Sequence, residues 1–205
     1  MDFVDNLPLI IPGLLAILIG ISVHEMMHAF VSDYLGDDTA RHQGRITINP
    51  LAHIDLFTTI LLPLGLILAG LPPLAAAKPV PFQPSRLKWG EYGATLMAFA
   101  GPASNLGLAI IGSIGYQLST AEVLVDGFAI FTAVNVGLFI FNMIPFPPLD
   151  GSRVLYAFAP DPVREIMNRI EAGGLVYFGV FFIFGYRFLQ PLLIWANNLV
   201  LGLLF

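Results

Sequence analysis

The chain has 205 residues, of which 57% are hydrophobic and 11% are charged, and it contains no cysteine. Soluble domains carry about 25% charged residues, so this composition excludes an ordinary soluble protein and indicates a polytopic membrane protein. The lack of cysteine excludes disulfide bonds, thiolate metal sites and a cysteine nucleophile, and the net charge of −5 argues against nucleic acid as a partner.

The first apolar segment, about residues 8 to 34, is long enough for one membrane-spanning helix. It follows the acidic stretch MDFVDN rather than the basic region of a cleavable signal peptide, so we expect it to be retained. The helix is predicted to end at Gly36 and the two aspartates that follow it. Its last third carries HEMMH, residues 24 to 28, inside an otherwise apolar run.

His24, Glu25 and His28 form a group that predicts metal chemistry. Residues four apart on a helix share a face, so the two imidazoles can bind one ion while the glutamate lies beside it. This spacing is typical of zinc hydrolases, in which the metal has three protein ligands and a water, and the glutamate acts as general base. The same pattern also occurs by chance on amphipathic helices of soluble proteins. In hydrocarbon, however, three adjacent ionisable groups need a compensating partner, which one zinc ion per chain supplies.

A polar segment, residues 37 to 55, follows the first span. Within it, GRITIN (44 to 49) alternates its side chains and contains β-branched residues, which predicts a short strand. As an edge strand it would pair with an unwound substrate, and this assigns Ile48 and Asn49 to substrate binding. His53 is interpreted either as lining the substrate entrance or as an interfacial histidine whose hydrogen bonds are satisfied.

The next apolar segment, residues 56 to 77, is uncharged but interrupted by three prolines. Non-helical backbone is tolerated at membrane depth where protein buries it, so we expect a re-entrant segment here. The remaining segments are a proline-rich interfacial loop (77 to 91), two apolar helices (about 92 to 118 and 126 to 147), a polar surface helix (151 to 172) and a last apolar run (173 to 205) that forms two short spans or one kinked span.

Polar residues in the later apolar helices are candidates for the same site. Asp150 follows a proline-rich bend at a helix end, where it is either a third metal ligand or part of an ordinary exit turn. Asn105 and Asn142 need hydrogen-bond partners inside the membrane, which either another helix or a site near the metal provides. Gly101 and Pro102 are interpreted as residues that permit close helix packing and a kink.

Three motifs occur in order on these apolar segments: HEMMH (24 to 28), AGPASN (100 to 105) and NMIPFPPLDG (142 to 151). Together they resemble the site-2 protease family of intramembrane zinc metalloproteases, in the minimal form without a PDZ or CBS domain. RITINPLAHID (45 to 55) resembles the segment after the zinc motif in a bacterial and archaeal branch of that family. The resemblance covers about residues 15 to 157.

The resemblance implies a zinc-dependent endopeptidase that hydrolyses peptide bonds in or near transmembrane segments. The expected substrate is a transmembrane protein, such as a membrane-tethered regulator, and the sequence leaves open whether the chain acts alone or as a homo-oligomer. The implied ligands are His24, His28 and Asp150, the general base is Glu25, and Asn105 and Asn142 lie near the scissile carbonyl or its oxyanion.

A shared metal places a condition on topology. If the three ligands lie at one depth, the first span and the 126 to 147 helix run in the same direction, with an odd number of crossings between them. We assign that crossing to the 92 to 118 helix, because prolines break the 56 to 77 segment. Eight of the nine basic residues then lie on one side, which the positive-inside rule identifies as cytoplasmic.

We therefore expect one all-α polytopic membrane domain over residues 1 to 205, with its core at about 8 to 157 and C-terminal helices at about 173 to 205. It is predicted to be a bundle of about 4 to 6 transmembrane helices with a short β segment and a re-entrant segment. We expect it to be multi-pass in a prokaryotic cell membrane, with the active site toward the cytoplasm.

Two rival functions belong to other classes. One is a divalent-metal transporter that uses the same intramembrane ligands, although transporters usually have repeated halves and this chain shows one metal motif. The other is a membrane binding protein that has lost catalysis, and the presence of Glu25 argues against it because a structural zinc site has no use for a base.

Overall fold

The computed structural model describes residues 7–55 and 77–202, with five single positions between them at 59, 61, 64, 65 and 68. The fold over these residues is helical. Its α-helices are α1 (Leu7–Tyr34), α2 (Thr39–His42), α3 (Glu91–Leu118), α4 (Glu122–Asn142), α5 (Asp150–Phe158), α6 (Asp161–Ala172) and α7 (Gly174–Leu201), and two short 3-10 helices cover Pro50–Ala52 and Pro84–Arg86.

Three of the described helices, α1, α3 and α4, are long and apolar enough to cross a membrane. Large apolar side chains such as Ile11, Leu14 and Ile111 are exposed on their outer faces. That pattern is expected where the outer face of a helix meets lipid rather than water. The predicted spans at about 8 to 34 and 92 to 118 are therefore confirmed as helices, and the prediction of a single domain stays a prediction.

Several helix boundaries differ from the sequence-based prediction: α4 starts at Glu122 rather than at about residue 126, and the surface helix predicted at 151 to 172 is divided into α5 and α6. α4 ends at Asn142 rather than at residue 147, because Pro145, Pro147 and Pro148 lack the N–H that would continue the helix. Of the two alternatives predicted for the last apolar run, two short spans or one kinked span, the structure has one helix of 28 residues, α7, which continues through Pro191.

Close contacts fix the directions of α1 and α4. Gly13 of α1 lies against Ile130 of α4, and Gly20 lies so near Leu138 that an added Cβ would be 2.7 Å from Leu138 Cδ1. Positions advance together along both helices, so α1 and α4 run in the same direction, as the shared depth of the ligands predicts.

α3 runs in the opposite direction and packs tightly on α4. A Cβ added at Gly112 would lie 2.6 Å from Thr132 Oγ1, and one added at Gly115 would lie 2.6 Å from Phe128 Cδ1. Small residues let helix backbones approach closely in a membrane, where dispersion contacts replace the hydrophobic driving force. α3 thus packs against both α1 and α4, with Gly101 next to the histidines of α1.

Two residues of the segment between α1 and α3, His53 and Lys78, are in contact. The Lys78 N–H donates a hydrogen bond of 2.8 Å to the carbonyl of His53. His53 and Lys78, which flank the predicted re-entrant segment, thus lie next to each other. The predicted re-entrant segment at 56 to 77 itself lies almost entirely outside the described residues.

The predicted strand at 44 to 49 is wrong. The backbone there bonds locally: the Thr47 N–H donates to Arg45 O (3.0 Å), and the Asn49 N–H donates to Thr47 Oγ1 (3.1 Å). Asn49 then caps the 3-10 helix that starts at Pro50. Alternation favours a strand, but a strand also needs a neighbour for its peptide groups, and the described parts of the chain offer none.

Asp37 joins the two polar segments that flank residues 56 to 77. Its buried carboxylate accepts hydrogen bonds from the Thr39 N–H (3.1 Å), the Thr39 hydroxyl (2.5 Å) and the Gln83 N–H (2.5 Å). Burial would raise the pKa of Asp37, but these hydrogen bonds hold that pKa below its usual value. The segment before α3 is thereby attached to the end of α1, beside the ligand-bearing turns.

Candidate metal centre

His24, His28 and Asp150 meet at one point between α1 and the first turn of α5. The two Nε2 atoms are 3.0 Å apart, and Asp150 Oδ2 lies 3.1 Å from His24 Nε2 and 3.3 Å from His28 Nε2. Both histidines are buried, and Asp150 is half-buried. The structure thus brings together the three ligands that the sequence predicts, and among the described residues they form the one group of donors able to hold a metal ion.

A compact turn after α4 brings Asp150 to the histidines. The Leu149 N–H donates to Phe146 O (2.9 Å), and the Ser152 N–H donates to Leu149 O (2.9 Å), so the chain reverses and starts α5 at once. Gly151 permits this approach, because an added Cβ would lie 2.3 Å from the Met143 carbonyl oxygen.

The second nitrogen of each imidazole has an acceptor on α3. His28 Nδ1 lies 2.7 Å from the Met97 carbonyl oxygen, and His24 Nδ1 lies 2.6 Å from Asn105 Oδ1. A carbonyl oxygen only accepts, so both Nδ1 atoms carry a hydrogen, and in the neutral imidazoles both Nε2 atoms then present lone pairs. Histidine ligands of metals usually donate their other N–H in this way.

The donor set fits zinc. Two imidazole lone pairs and a carboxylate oxygen that face one another repel unless a cation lies between them. Zinc ligands lie at about 2.0 to 2.2 Å in a tetrahedral arrangement, which places neighbouring ligand atoms about 3.3 to 3.6 Å apart. The observed separations of 3.0 to 3.3 Å reach the lower edge of that range, so a small outward movement of the three donor atoms would admit the ion. Three protein ligands leave a fourth position for a water.

Gly101 of α3 forms the wall that faces the donor atoms. A Cβ added there would lie 2.4 Å from His28 Nε2 and 2.7 Å from His24 Nε2. The sequence-based interpretation gives Gly101 a packing role; the structure also shows that any larger residue would occupy the space in front of the nitrogens.

Glu25 is half-buried beside the ligands, and its carboxylate interacts electrostatically with the buried guanidinium of Arg45. Arg45 is only 3% exposed, and its guanidinium donates to the carbonyl oxygens of Ala52 (2.9 Å), Lys78 and Pro79 (3.2 Å). Burial lowers the pKa of Arg45, and the negative charge of Glu25 opposes that shift. The predicted general base and a buried arginine are thus electrostatic neighbours.

Comparison with known proteins decides the family. The model of peptidase family M50 matches residues 116–186, a stretch that contains Asp150 but not the histidines. The "Putative zinc metalloprotease YwhC" of Bacillus subtilis (strain 168) is 35% identical over an alignment of 201 positions that covers 92% of this chain and 89% of that protein. The chain belongs to peptidase family M50. The resemblance to site-2 proteases and the prediction of a metalloendopeptidase are thereby confirmed.

More distant M50 relatives come from mycobacteria. "Putative zinc metalloprotease Rip2" of Mycolicibacterium smegmatis is 29% identical over 167 residues, 78% of this chain and 62% of that protein. Its namesake in Mycobacterium tuberculosis (strain ATCC 25618 / H37Rv) is 26% identical over 172 residues, 81% of this chain and 64% of that protein. The chain thus spans less than two thirds of these two relatives. No solved structure matches it significantly.

The two asparagines predicted to act in catalysis occupy different places in this M50 peptidase. Asn105 is fully buried, and its Nδ2 donates to Gly20 O (3.1 Å) and Asn135 Oδ1 (3.0 Å), so both amide hydrogens are engaged. Asn142 is half-buried at the end of α4, and its Nδ2 donates to Leu138 O (2.9 Å). Their roles at the scissile carbonyl stay predictions, and the structure shows that Asn105 holds His24.

The predicted substrate residues lie in the loop after α2. Ile48 is 66% exposed, and Asn49 is exposed with its Oδ1 accepting from the Leu51 N–H (3.1 Å). His53 is only 2% exposed, and its Nε2 donates to the Thr47 carbonyl (2.8 Å). The buried Nδ1 of His53 has no hydrogen-bond partner among the described residues, so the histidine is not fully satisfied, and its role at the substrate entrance stays a prediction.

Sequence reasoning missed Asn135 of α4, whose Oδ1 accepts a hydrogen bond from Asn105 of α3. It is fully buried, and its Nδ2 donates to Phe131 O (2.9 Å). One signal was present: an amide inside an apolar helix, two turns before Asn142 and therefore on the same face.

Proposed function

We propose that the chain is a zinc-dependent intramembrane endopeptidase that cuts peptide bonds in or near transmembrane segments of other proteins. The convergence of His24, His28 and Asp150, with separations of 3.0 to 3.3 Å inside a bundle of apolar helices, carries this proposal. Membership of peptidase family M50 supports the reaction class.

The residues have separate tasks in this mechanism. His24, His28 and Asp150 would hold zinc, which supplies a Lewis acid and lowers the pKa of a water at its open position to about 7. Glu25 follows His24 in α1, and it takes the proton from the attacking water and delivers it to the leaving amine. We assign Asn142, at the end of α4, to the oxyanion of the scissile carbonyl.

The substrate must present an unwound peptide. A transmembrane helix bonds all its amides internally, so a bond becomes accessible only after local unwinding. The exposed Ile48 and Asn49 are proposed to contact that unwound stretch from the loop after α2. The proposed substrate is a single-span protein such as a membrane-tethered regulator.

The distribution of charge supports a cytoplasmic active site. Loops and surface helices at the metal-binding end carry Arg41, Arg45, Lys78, Arg86, Lys88, Arg153, Arg164 and Arg169. Asp38, just beyond α1, pairs with Arg86 (2.9 Å), and Thr95 in α3 donates to the Arg153 carbonyl (3.4 Å). The loop between α3 and α4 has no basic residue, so the positive-inside rule directs the metal-binding end to the cytoplasm of a prokaryotic cell.

A cleavage assay tests the proposal. The purified chain is incubated with a labelled transmembrane peptide, with and without a zinc chelator. We expect chelator-sensitive cleavage, a loss of about 100- to 10,000-fold in Glu25→Gln with zinc retained, and full activity in Glu122→Gln, whose exposed carboxylate lies at the other end of the bundle.

Two results would overturn the proposal. One is cleavage by the Glu25→Gln variant at the rate of the unaltered chain. That result would show that Glu25 is not the general base. The other is zinc flux into vesicles that survives Glu25→Gln while no peptide is cut, which is the behaviour of a transporter.

A further inference from the structure

A line of buried amides extends from the metal site into α4. Asn105 Oδ1 lies 2.6 Å from His24 Nδ1, and Asn105 Nδ2 donates to Asn135 Oδ1 over 3.0 Å. Asn135 Nδ2 donates in turn to the Phe131 carbonyl of its own helix over 2.9 Å. We infer that Asn135 is a positioning residue, which fixes the orientation of Asn105 and through it the tautomer of His24; this inference rests on the proposed zinc site.

The direction of the line is set at its far end. The Phe131 carbonyl can only accept, so the side chain of Asn135 must turn its NH2 toward Phe131 and its oxygen toward Asn105. Asn105 therefore meets two acceptors on one side, Asn135 Oδ1 and Gly20 O (3.1 Å), and both demand its NH2. Its oxygen is left to face His24.

The orientation of Asn105 decides which nitrogen of His24 is free. An oxygen toward Nδ1 requires a hydrogen on Nδ1, which leaves the lone pair on Nε2, 3.1 Å from Asp150 Oδ2. A flipped Asn105 would offer an N–H to Nδ1 and move the imidazole hydrogen to Nε2, where it would occupy the ligand position. A flip would also place the amide oxygen against two other oxygens.

Gly20 allows the line to form. A Cβ on this residue of α1 would lie 3.0 Å from Asn135 Oδ1 and 3.5 Å from Asn105 Nδ2. Its absence lets α1 approach both amides, so that the Gly20 carbonyl shares Asn105 with Asn135. Asn135 thereby supplies one of the two acceptors that hold Asn105, without itself contacting the ligands.

Thr132 provides a matched control that separates a positioning role of Asn135 from a merely structural one. Thr132 lies one turn earlier on α4, is equally buried, and donates to the carbonyl of its own helix at Phe128 (2.8 Å). Across the helices it faces Gly112, where an added Cβ would lie 2.6 Å from Thr132 Oγ1. Thr132→Ala and Asn135→Ala therefore both remove a buried side chain that bonds to its own helix, but only the second removes an acceptor from Asn105.

The test measures zinc affinity of the full chain in detergent by competition with a chromogenic chelator, together with the visible absorption of bound Co²⁺. We expect Asn135→Ala to weaken zinc binding about 10-fold, since partners behind metal ligands typically contribute 10- to 100-fold, while Thr132→Ala stays within about twofold. Asn135→Asp should keep most of the affinity, because burial favours the neutral acid, with one oxygen that accepts and one O–H that donates. In a chain that already carries Asn105→Ala, Asn135→Ala should not weaken zinc binding any further.

Each other outcome counts against the inference. Unchanged zinc affinity in a folded Asn135→Ala chain, equal losses in both alanine variants, or additive losses with Asn105→Ala would each overturn it while leaving the zinc site intact. If Asn135→Ala does not fold, the affinity of Asn135→Asp decides, and a loss there as large as in Asn105→Ala overturns the inference. A failure of the unaltered chain to bind zinc would overturn the proposed function as well.

Discussion

Gly101 lies directly against His28, so that a Cβ at position 101 would be 2.4 Å from the Nε2 atom that faces the other two ligands. The α3 backbone itself therefore forms one wall of the metal site. We predict that Gly101→Ala lowers zinc affinity and peptide cleavage by at least about 100-fold, because the methyl group displaces the ligand nitrogens. Bound zinc per chain and chelator competition measure the effect.

Gly107 on the same helix provides the control for Gly101. Nothing lies within 4 Å of a Cβ added there, so Gly107→Ala should leave zinc binding unchanged and stabilise the helix by up to about 1 kcal/mol. Normal zinc content in Gly101→Ala would contradict the prediction and show that the α3 backbone moves to accommodate the methyl group.

Asp150 should matter for metal affinity as well as for turnover. Asp150→Ala removes one of three protein ligands, so we predict that zinc binding weakens by about 100-fold and activity falls with it. Asp161→Ala, at the exposed first residue of α6, removes an acidic side chain from a nearby helix and should change neither quantity. If the affinity of Asp150→Ala equals that of the unaltered chain, the third ligand lies elsewhere.

The ligands can be predicted from the sequence because they follow local rules. HEMMH places two imidazoles on one face of any helix that contains it. The proline-rich stretch before Asp150 ends α4 because proline lacks the N–H that would continue the helix. The parallel course of α1 and α4 then follows from requiring one depth for all ligands. None of these steps depends on the details of packing.

The supporting residues depend on contacts between helices that spacing does not encode. The Met97 carbonyl holds His28, and Asn135 holds Asn105, only because α3 and α4 pack in one particular register. The strand predicted at 44 to 49 was wrong for the same reason: alternation indicates only a preference, and no strand lies beside this segment in the parts of the chain that the structure describes.

The orientation of the chain can be tested with single cysteines, because the native sequence has none. Residues 43, 84 and 160 are exposed at the metal-binding end, and residue 121 is exposed in the loop between α3 and α4. We predict that the first three are labelled from the cytoplasmic side by a membrane-impermeant thiol reagent and the fourth from the opposite side. Labelling of position 84 from outside would show that residues 56 to 77 cross the membrane.

The depth of the metal site predicts which peptide bonds are cut. α1 ends at Tyr34, six residues beyond His28, and a rise of about 1.5 Å per residue places His28 about 9 Å from that end. Under the proposed function, a substrate therefore presents an unwound bond in the cytoplasmic third of its span. Opening a helix in lipid leaves amides unpaired at several kcal/mol each, and Gly, Pro or Asn near the bond lowers that cost because these residues form helices poorly.

A pair of model substrates tests this dependence on unwinding. One carries helix-breaking residues in the cytoplasmic third of its span, and the other carries leucine at the same positions. We predict that the leucine version is cut at least several-fold more slowly, with kcat reduced more than KM changes, because the barrier lies in opening the bound helix rather than in binding it. A third substrate with its helix breakers moved to the opposite third should be cut as slowly as the leucine version. Equal rates for all three, or cleavage confined to soluble loops, would show that the metal acts outside the membrane-spanning part of its substrate.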